Sequence, residues 1–147
     1  MMQRRTWGGS GLENLVVVIE DDRSLRESFD FILRAERIRS MLAPDGMAGL
    51  ALIRRHRPKV VMLDMYLPHM SGFELLDDLR SDPILEHIFV IAITGMAEDS
   101  EELGEMKGKA DVIMSKPIDE ERLIGLIRTA FADTDVSAGL RRHLDGA

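Results

Sequence analysis

Four short, almost unbroken apolar runs constrain this chain most: Leu15-Val16-Val17-Val18-Ile19, Val60-Val61-Met62-Leu63, Ile88-Phe89-Val90-Ile91-Ala92-Ile93 and Val112-Ile113-Met114. None of them alternates apolar with polar residues. A strand with one wet face must alternate; a strand that does not alternate needs cover on both faces. Parallel sheets supply that cover, because their crossovers lay helices on each side. A fifth, weaker run spans Ile38 to Ala43.

The intervening segments read as helices. Leu25, Phe29, Ile32 and Leu33 share one face, as do Met47, Leu50 and Ala51 in a helix that ends before Pro58. Ser71 and Glu74 form a capping box ahead of Leu75, Leu76 and Leu79, and Pro83 closes that segment. Asp119 can cap a helix that carries Leu123, Leu126, Ile127, Ala130 and Phe131 on one stripe. The stretch from Glu98 to Lys107 is the poorest helix, with few apolar positions and with Gly104 and Gly108, and is expected to be the most mobile. Strand then helix, five times over, predicts an α/β doubly wound, three-layer sandwich with right-handed crossovers.

A chain of 147 residues fits one such domain. Residues 1–13 read as a flexible arm with Arg4, Arg5, Trp7 and the run Gly8-Gly9-Ser10-Gly11, followed by a body over 14–131. Trp7 reads as a loose residue of the arm, with a docking anchor as the alternative. Residues 132–147 carry Val136, Leu140 and Leu144 at a spacing of four and are expected to extend the last helix. With no output domain after Phe131, a full-length chain would act by binding another protein.

Composition removes several classes of chemistry. Cysteine is absent, which excludes disulfides, thiolate catalysis and Cys-ligated zinc. A net charge of −7 argues against direct nucleic-acid binding. No apolar run approaches a membrane span and the first residues lack a signal-peptide core, so the expectation is a cytoplasmic protein without membrane contact.

In an open α/β sheet, ligands bind beyond the carboxyl ends of the strands. Strand 1 ends in Glu20-Asp21-Asp22, strand 3 in Asp64, strand 4 in Thr94-Gly95 and strand 5 in Ser115-Lys116-Pro117. Clustered carboxylates stay ionised together only around a cation, and a hard, oxygen-seeking ion such as Mg²⁺ suits them. Asp64 is then a candidate nucleophile toward phosphorus. Lys116, Thr94 and the metal could bind the oxygens of a transferring phosphoryl group. Taken singly, each residue has a plainer reading: Asp22 as a helix cap, Asp64 as a loop cap, Lys116 as a solvated cation, Thr94 as a structural hydroxyl. Their arrival at successive strand ends makes the plainer readings improbable as a set.

Val18-Ile19-Glu20-Asp21-Asp22, Leu63-Asp64-Met65-Tyr66-Leu67-Pro68-His69-Met70-Ser71-Gly72, Ile93-Thr94-Gly95 and Ser115-Lys116-Pro117 together resemble the receiver domain of bacterial two-component response regulators, over residues 14 to about 131. The resemblance implies a flavodoxin-like five-stranded parallel sheet of order 2-1-3-4-5. It implies that Glu20 and Asp21 hold Mg²⁺ (or Mn²⁺), that Asp64 is the phosphoacceptor and also touches the metal, and that the Tyr66 backbone carbonyl is a further ligand. It gives Thr94 the role of switch hydroxyl and Lys116 that of phosphate-binding lysine, with a cis bond to Pro117. It implies a histidine kinase or histidine phosphotransfer protein as donor, a downstream protein target, and scope for a homodimer.

Two departures carry expectations. Ile113 stands where the family usually has Tyr or Phe. A β-branched aliphatic has no ring to reorient, so output is expected to run through the loop after strand 4 and the weak fourth helix. Tyr66 and Met96, flanking the acceptor and the switch hydroxyl, are bulky and predict a long-lived phosphoryl state. Competing readings are an Asp-nucleophile phosphatase of the haloacid-dehalogenase type, a dinucleotide-binding enzyme and a phosphorylation-independent adaptor. The first lacks a second Asp at position 66 and room for a cap insertion; the second lacks a Gly-x-Gly-x-x-Gly after strand 1. The intact acceptor, acids, Thr94 and Lys116 argue against the third without refuting it.

Overall fold

Strands and helices alternate through the chain: β1 (Glu13–Ile19), α1 (Arg23–Ala35), β2 (Ser40–Ala43), α2 (Gly46–His56), β3 (Pro58–Asp64), α3 (Gly72–Ser81), β4 (Phe89–Thr94), α4 (Glu101–Met106), β5 (Val112–Ser115) and α5 (Glu120–Ala132). The computed structural model describes residues 11–95 and 101–133, and of Glu102 and Leu103 only the backbone. Trp7, Met96 and residues 134–147 therefore lie outside the described residues, as does the start of the Glu98–Lys107 segment.

The five strands form one sheet of order β2-β1-β3-β4-β5, and every neighbouring pair is parallel. Register places Val17 beside Met41 on one side and Val61 on the other. Strand pleating then divides the apolar runs between two cores. Val17, Ile19, Val61, Leu63, Val90 and Ala92 pack against Leu50 and Ile53 of α2, Leu75, Leu76 and Leu79 of α3, and Met106 of α4. Val16, Val18, Val60, Met62, Ile91 and Ile93 face Phe29 and Leu33 of α1 and Leu123 and Ile127 of α5. Both sides of the central strands are thus dry, which is why their sequences do not alternate.

Local chemistry fixes the helix starts. Asp22, Asp45 and Asp119 accept hydrogen bonds from the backbone N–H groups of Leu25, Ala48 and Arg122. The reciprocal Ser71–Glu74 capping box opens α3.

One expectation needs correction. Met47 and Ala51 do not share the buried face of α2: Met47 is 69% exposed and Ala51 is exposed too. The buried residues are Gly46, Gly49, Leu50 and Ile53. Glycine hides the pattern, because its contribution is closeness rather than bulk: a Cβ on Gly49 would lie 2.3 Å from Ile19 Cδ1. Gly72 does the same at the start of α3, where a Cβ would meet Met65 Cα at 2.6 Å. A side chain there would push the helix off the loop that follows Asp64.

At the far side of α3, Arg80 gathers several segments. Its Nη1 donates to the carbonyls of Glu86 (2.7 Å) and Ile88 (2.8 Å), and its Nε to that of Lys109 (2.7 Å). Its Nη2 meets Asp111 Oδ2 at 2.9 Å. The same oxygen accepts from the Val90 N–H at 2.7 Å.

Candidate functional site

The chain runs from β1 outward to β2, then returns to lay β3 on the other flank of β1. Loops leaving β1 and β3 therefore diverge, and a crevice opens above their carboxyl ends. Glu20 and Asp21 follow β1 directly, and Asp64 is the last residue of β3. One carboxylate oxygen from each of these three residues lies within 4.8 Å of the others. Glu20 and Asp64 are buried; Asp21 is exposed.

The surrounding backbone holds these acids in place. The Asp22 N–H donates to Glu20 Oε2 at 3.1 Å, and the Tyr66 N–H to Asp64 Oδ1 at 2.9 Å. Sequence reasoning missed Arg26. Its Nη1 donates to the carbonyls of Glu20 (2.9 Å) and Asp21 (3.3 Å), bracing the acidic turn from the first turn of α1. The signal available was its position, one helical turn beyond the cap Asp22.

Lys116 reaches in from the end of β5. Its Nζ is 3.4 Å from Asp64 Oδ2 and 3.7 Å from Glu20 Oε1. Its backbone N–H donates to the Thr94 carbonyl at 3.0 Å, and its bond to Pro117 is cis. Thr94 is buried at the end of β4 with Gly95 after it, and Tyr66 is 54% exposed above β3. Ile113 lies in β5, partly buried and packed on the core beneath α2, α3 and α4. Glu20, Asp21, Asp64, Thr94 and Lys116 thus converge on one end of the sheet. Tyr66 borders them, and Ile113 sits lower in its strand.

The electrostatics of this end are unbalanced. Burial pushes the Glu20 carboxyl up from 4.5 to about 7. A hydrogen bond that its protonated form can give to Asp64 adds to this, as does the Asp64 charge, while the Asp22 N–H and Lys116 oppose the rise. Ionised, Glu20 Oε1 is buried and accepts no hydrogen bond. Such an oxygen is costly, and Lys116 at 3.7 Å, beyond hydrogen-bond reach, offsets only part of the cost; a cation held among the acids would offset the rest. The donor set is all oxygen, it is anionic, and it has an exposed side at Asp21 that leaves room for water. That is the preference of Mg²⁺ or Mn²⁺ rather than of a softer metal.

A doubly wound sheet whose switch point carries three carboxylates, a buried hydroxyl and a lysine defines a class of α/β proteins with an acidic, lysine-bearing crevice at the strand ends. Comparison with known proteins narrows it. The family model of the response regulator receiver domain matches residues 16–128. The chain belongs to that family, and it is a receiver domain of two-component signalling. It is 32% identical over 118 residues to the polar-differentiation response regulator DivK of Brucella anthropi, covering 80% of this chain and 96% of that one. Among solved structures it resembles the Francisella response regulator 1452 receiver domain at 26% identity and a TM-score of 0.72, over 81% of this chain and 97% of that one. Vibrio cholerae chemotaxis protein CheY4 shares the fold at 24% identity and a TM-score of 0.71, over 79% of this chain and 97% of that one. Among the described residues no helix is long and apolar enough to cross a membrane.

Proposed function

We propose that this receiver domain is a phosphorylation-dependent switch: a phosphoryl group passes from a phosphohistidine of a histidine kinase or phosphotransfer protein to Asp64. One observation carries the reading. A buried strand-end carboxylate lies 3.4 Å from an ammonium and among two more carboxylates. Glu20, Asp21 and Asp64 would hold Mg²⁺ (or Mn²⁺), with the Tyr66 carbonyl as the further ligand the family resemblance implies. The ion, when bound, supplies positive charge to the phosphoryl oxygens.

The chain's own residues do the rest. An Asp64 carboxylate oxygen forms the new bond to phosphorus as the phosphorus–nitrogen bond breaks, and the leaving imidazole takes up a proton. Lys116 is placed to pair with a phosphoryl oxygen beside Asp64 Oδ2. The Thr94 hydroxyl, in the role the family resemblance implies, would bind another, and this coupling would move the end of β4 and alter the surface offered to a downstream protein or to a second copy. The protein is a switch rather than a catalyst of turnover; it assists only its own gain and loss of phosphate.

Incubation with Mg²⁺ and acetyl phosphate, followed by intact mass measurement, tests this. The expected result is a gain of one phosphoryl group that chelator abolishes. A folded protein that gains none from acetyl phosphate or from a phosphorylated phosphotransfer protein would favour the phosphorylation-independent adaptor.

A second expected outcome concerns pH. The folded-state pKa of Glu20 is raised, so its contribution to stability is present below about 4.5 and is lost as pH rises through about 7. A bound divalent cation offsets that loss, because it favours the ionised form. The melting temperature should therefore rise with added Mg²⁺ near pH 8 and barely move near about pH 5.5. An equal shift at both values would remove Glu20 from the metal site.

Loss of phosphate gives a third. Tyr66 stands exposed two residues beyond the acceptor, and its bulk would obstruct an attacking water. Tyr66→Asn should speed loss of phosphate by about tenfold, the scale at which one positioned polar group acts on a water. Slower loss would show that Tyr66 does not shield the phosphoryl group.

A further inference from the structure

The end of the sheet opposite the acidic crevice is basic. Arg37 and Arg39 lie in the α1-to-β2 connection, Arg54 and Arg55 end α2, and Arg57 begins the turn into β3. All five are exposed, and none makes an ion pair among the described residues. They belong to one edge: the Arg39 carbonyl accepts from the Val16 N–H at 3.0 Å and the Arg57 carbonyl from the Glu13 N–H at 2.7 Å, on either flank of β1. The acids at this end are few. Glu36 is engaged by Arg128 at 2.8 Å, and Asp133 lies beside Lys59, whose Nζ reaches the Phe131 carbonyl at 3.1 Å. Asp111 is paired with Arg80. Asp82 and Glu86 lie at the β4 side of this end, away from the five arginines around β1, β2 and β3, and Glu13 is the acid that remains beside them.

Helix polarity explains only part of this. Cations suit the last turn of α2, which accounts for Arg54 and Arg55. Arg37 and Arg57 are different. Their φ values of 59° and 48° are left-handed, at helix ends where glycine is the unstrained choice. The chain keeps arginine at both places against a backbone cost.

We propose that this edge docks on an anionic lipid surface. The charges are spread over the flat end of a layered sandwich, where α1 and α2 terminate, so no helix is presented lengthwise to a nucleic-acid groove. None of the five arginines alternates with an aromatic residue on which a base could stack. The arm joins the fold at this same edge, since Gly11 approaches Arg57 Nη1. Its sequence, with Met1, Met2, Arg4, Arg5 and Trp7, pairs cations with an interfacial aromatic residue, the combination that seats at a lipid headgroup boundary. Charge separation within the molecule orients it: the acidic crevice faces away from the lipid and stays open to a phosphodonor. The inference is independent of the phosphoryl reading.

Sedimentation with vesicles of phosphatidylcholine and phosphatidylglycerol, about 2:1, tests it at low salt, with pure phosphatidylcholine as control. The full chain should partition onto the anionic vesicles only and leave them as salt is raised. The emission of Trp7, the sole tryptophan, should shift to the blue on binding. Arg39→Gln, Arg54→Gln and Arg55→Gln combined should weaken partition roughly a hundredfold, at about fivefold per arginine. The same variant should stay folded, with a melting temperature lowered by only a few degrees through the lost helix-end cations, and take up phosphate from acetyl phosphate as the wild type does. No partition, partition unaffected by the triple variant, or tighter binding to duplex DNA or polyglutamate than to the anionic vesicles at the same salt would each overturn the proposal.

Discussion

Asp64→Asn is expected to gain no phosphoryl group under conditions that load the wild-type protein, and at the same time to melt at a higher temperature without metal. The loss is complete because an amide is no nucleophile toward phosphorus and no other carboxylate has the geometry of Asp64. Asp21 is exposed, and Glu20 turns one oxygen to the Asp22 N–H. The gain in stability follows from the same charge. In the metal-free fold, Glu20 and Asp64 are both buried and their charges repel. Neutralising Asp64 removes one cause that holds the Glu20 carboxyl up near about 7. An asparagine oxygen can still accept the Tyr66 N–H. The variant does forfeit the Lys116 contact, but that ammonium is 36% exposed and partly screened. The net stabilisation should be about 1 kcal/mol near pH 8, a rise of about 4 °C for a domain of this size. A lower melting temperature would show that the Lys116–Asp64 attraction outweighs the repulsion. A phosphoryl gain in the variant would place the acceptor elsewhere.

The sheet was legible because burial on both faces leaves a run no polar residue to spare, as in Val60 to Leu63. The candidate site was legible because parallel topology sends every strand's carboxyl end to the same side. Asp64, Thr94 and Lys116 could then be read as neighbours from their places after apolar runs. What stayed hidden depended on contacts that carry no periodic signal. The buried face of α2 includes Gly46 and Gly49, which let the helix backbone approach Met70 and Ile19 respectively. Arg26 looked like an ordinary solvent-facing helix residue, yet it braces the turn that carries Glu20 and Asp21. The raised pKa of Glu20 needed the burial of two acids together, and no spacing along the chain reports burial. The same blindness covers charge that gathers from separate segments. Arg39 and Arg57 lie in separate connections and come to one edge only because β2 and β3 flank β1.

Asp111→Ala should destabilise the fold by about 3–5 kcal/mol, the cost of breaking a buried ion pair from one side. The Asp111 side chain is wholly buried and that of Arg80 only 12% exposed, so water cannot replace the lost partner. The substitution strands two donors at once, Arg80 Nη2 and the Val90 N–H, which now share Asp111 Oδ2 at 2.9 and 2.7 Å. Arg80 keeps its three carbonyl contacts, to Glu86, Ile88 and Lys109, and these hold its charge in place rather than letting it swing to solvent. The melting temperature should fall by roughly 12–20 °C, at about 4 °C per kcal/mol. The companion Arg80→Met should cost less than Asp111→Ala, since it removes the charge instead of isolating it and keeps an apolar stem against the same surface. Combining the two should then cost less than their sum, because once the cation is gone the loss of Asp111 no longer isolates a buried charge. Additive losses in that double-mutant cycle would mean that the two side chains act separately, and that α3 is tied to the α4–β5 turn chiefly by Asp77 and Lys109, the other ion pair that crosses between them.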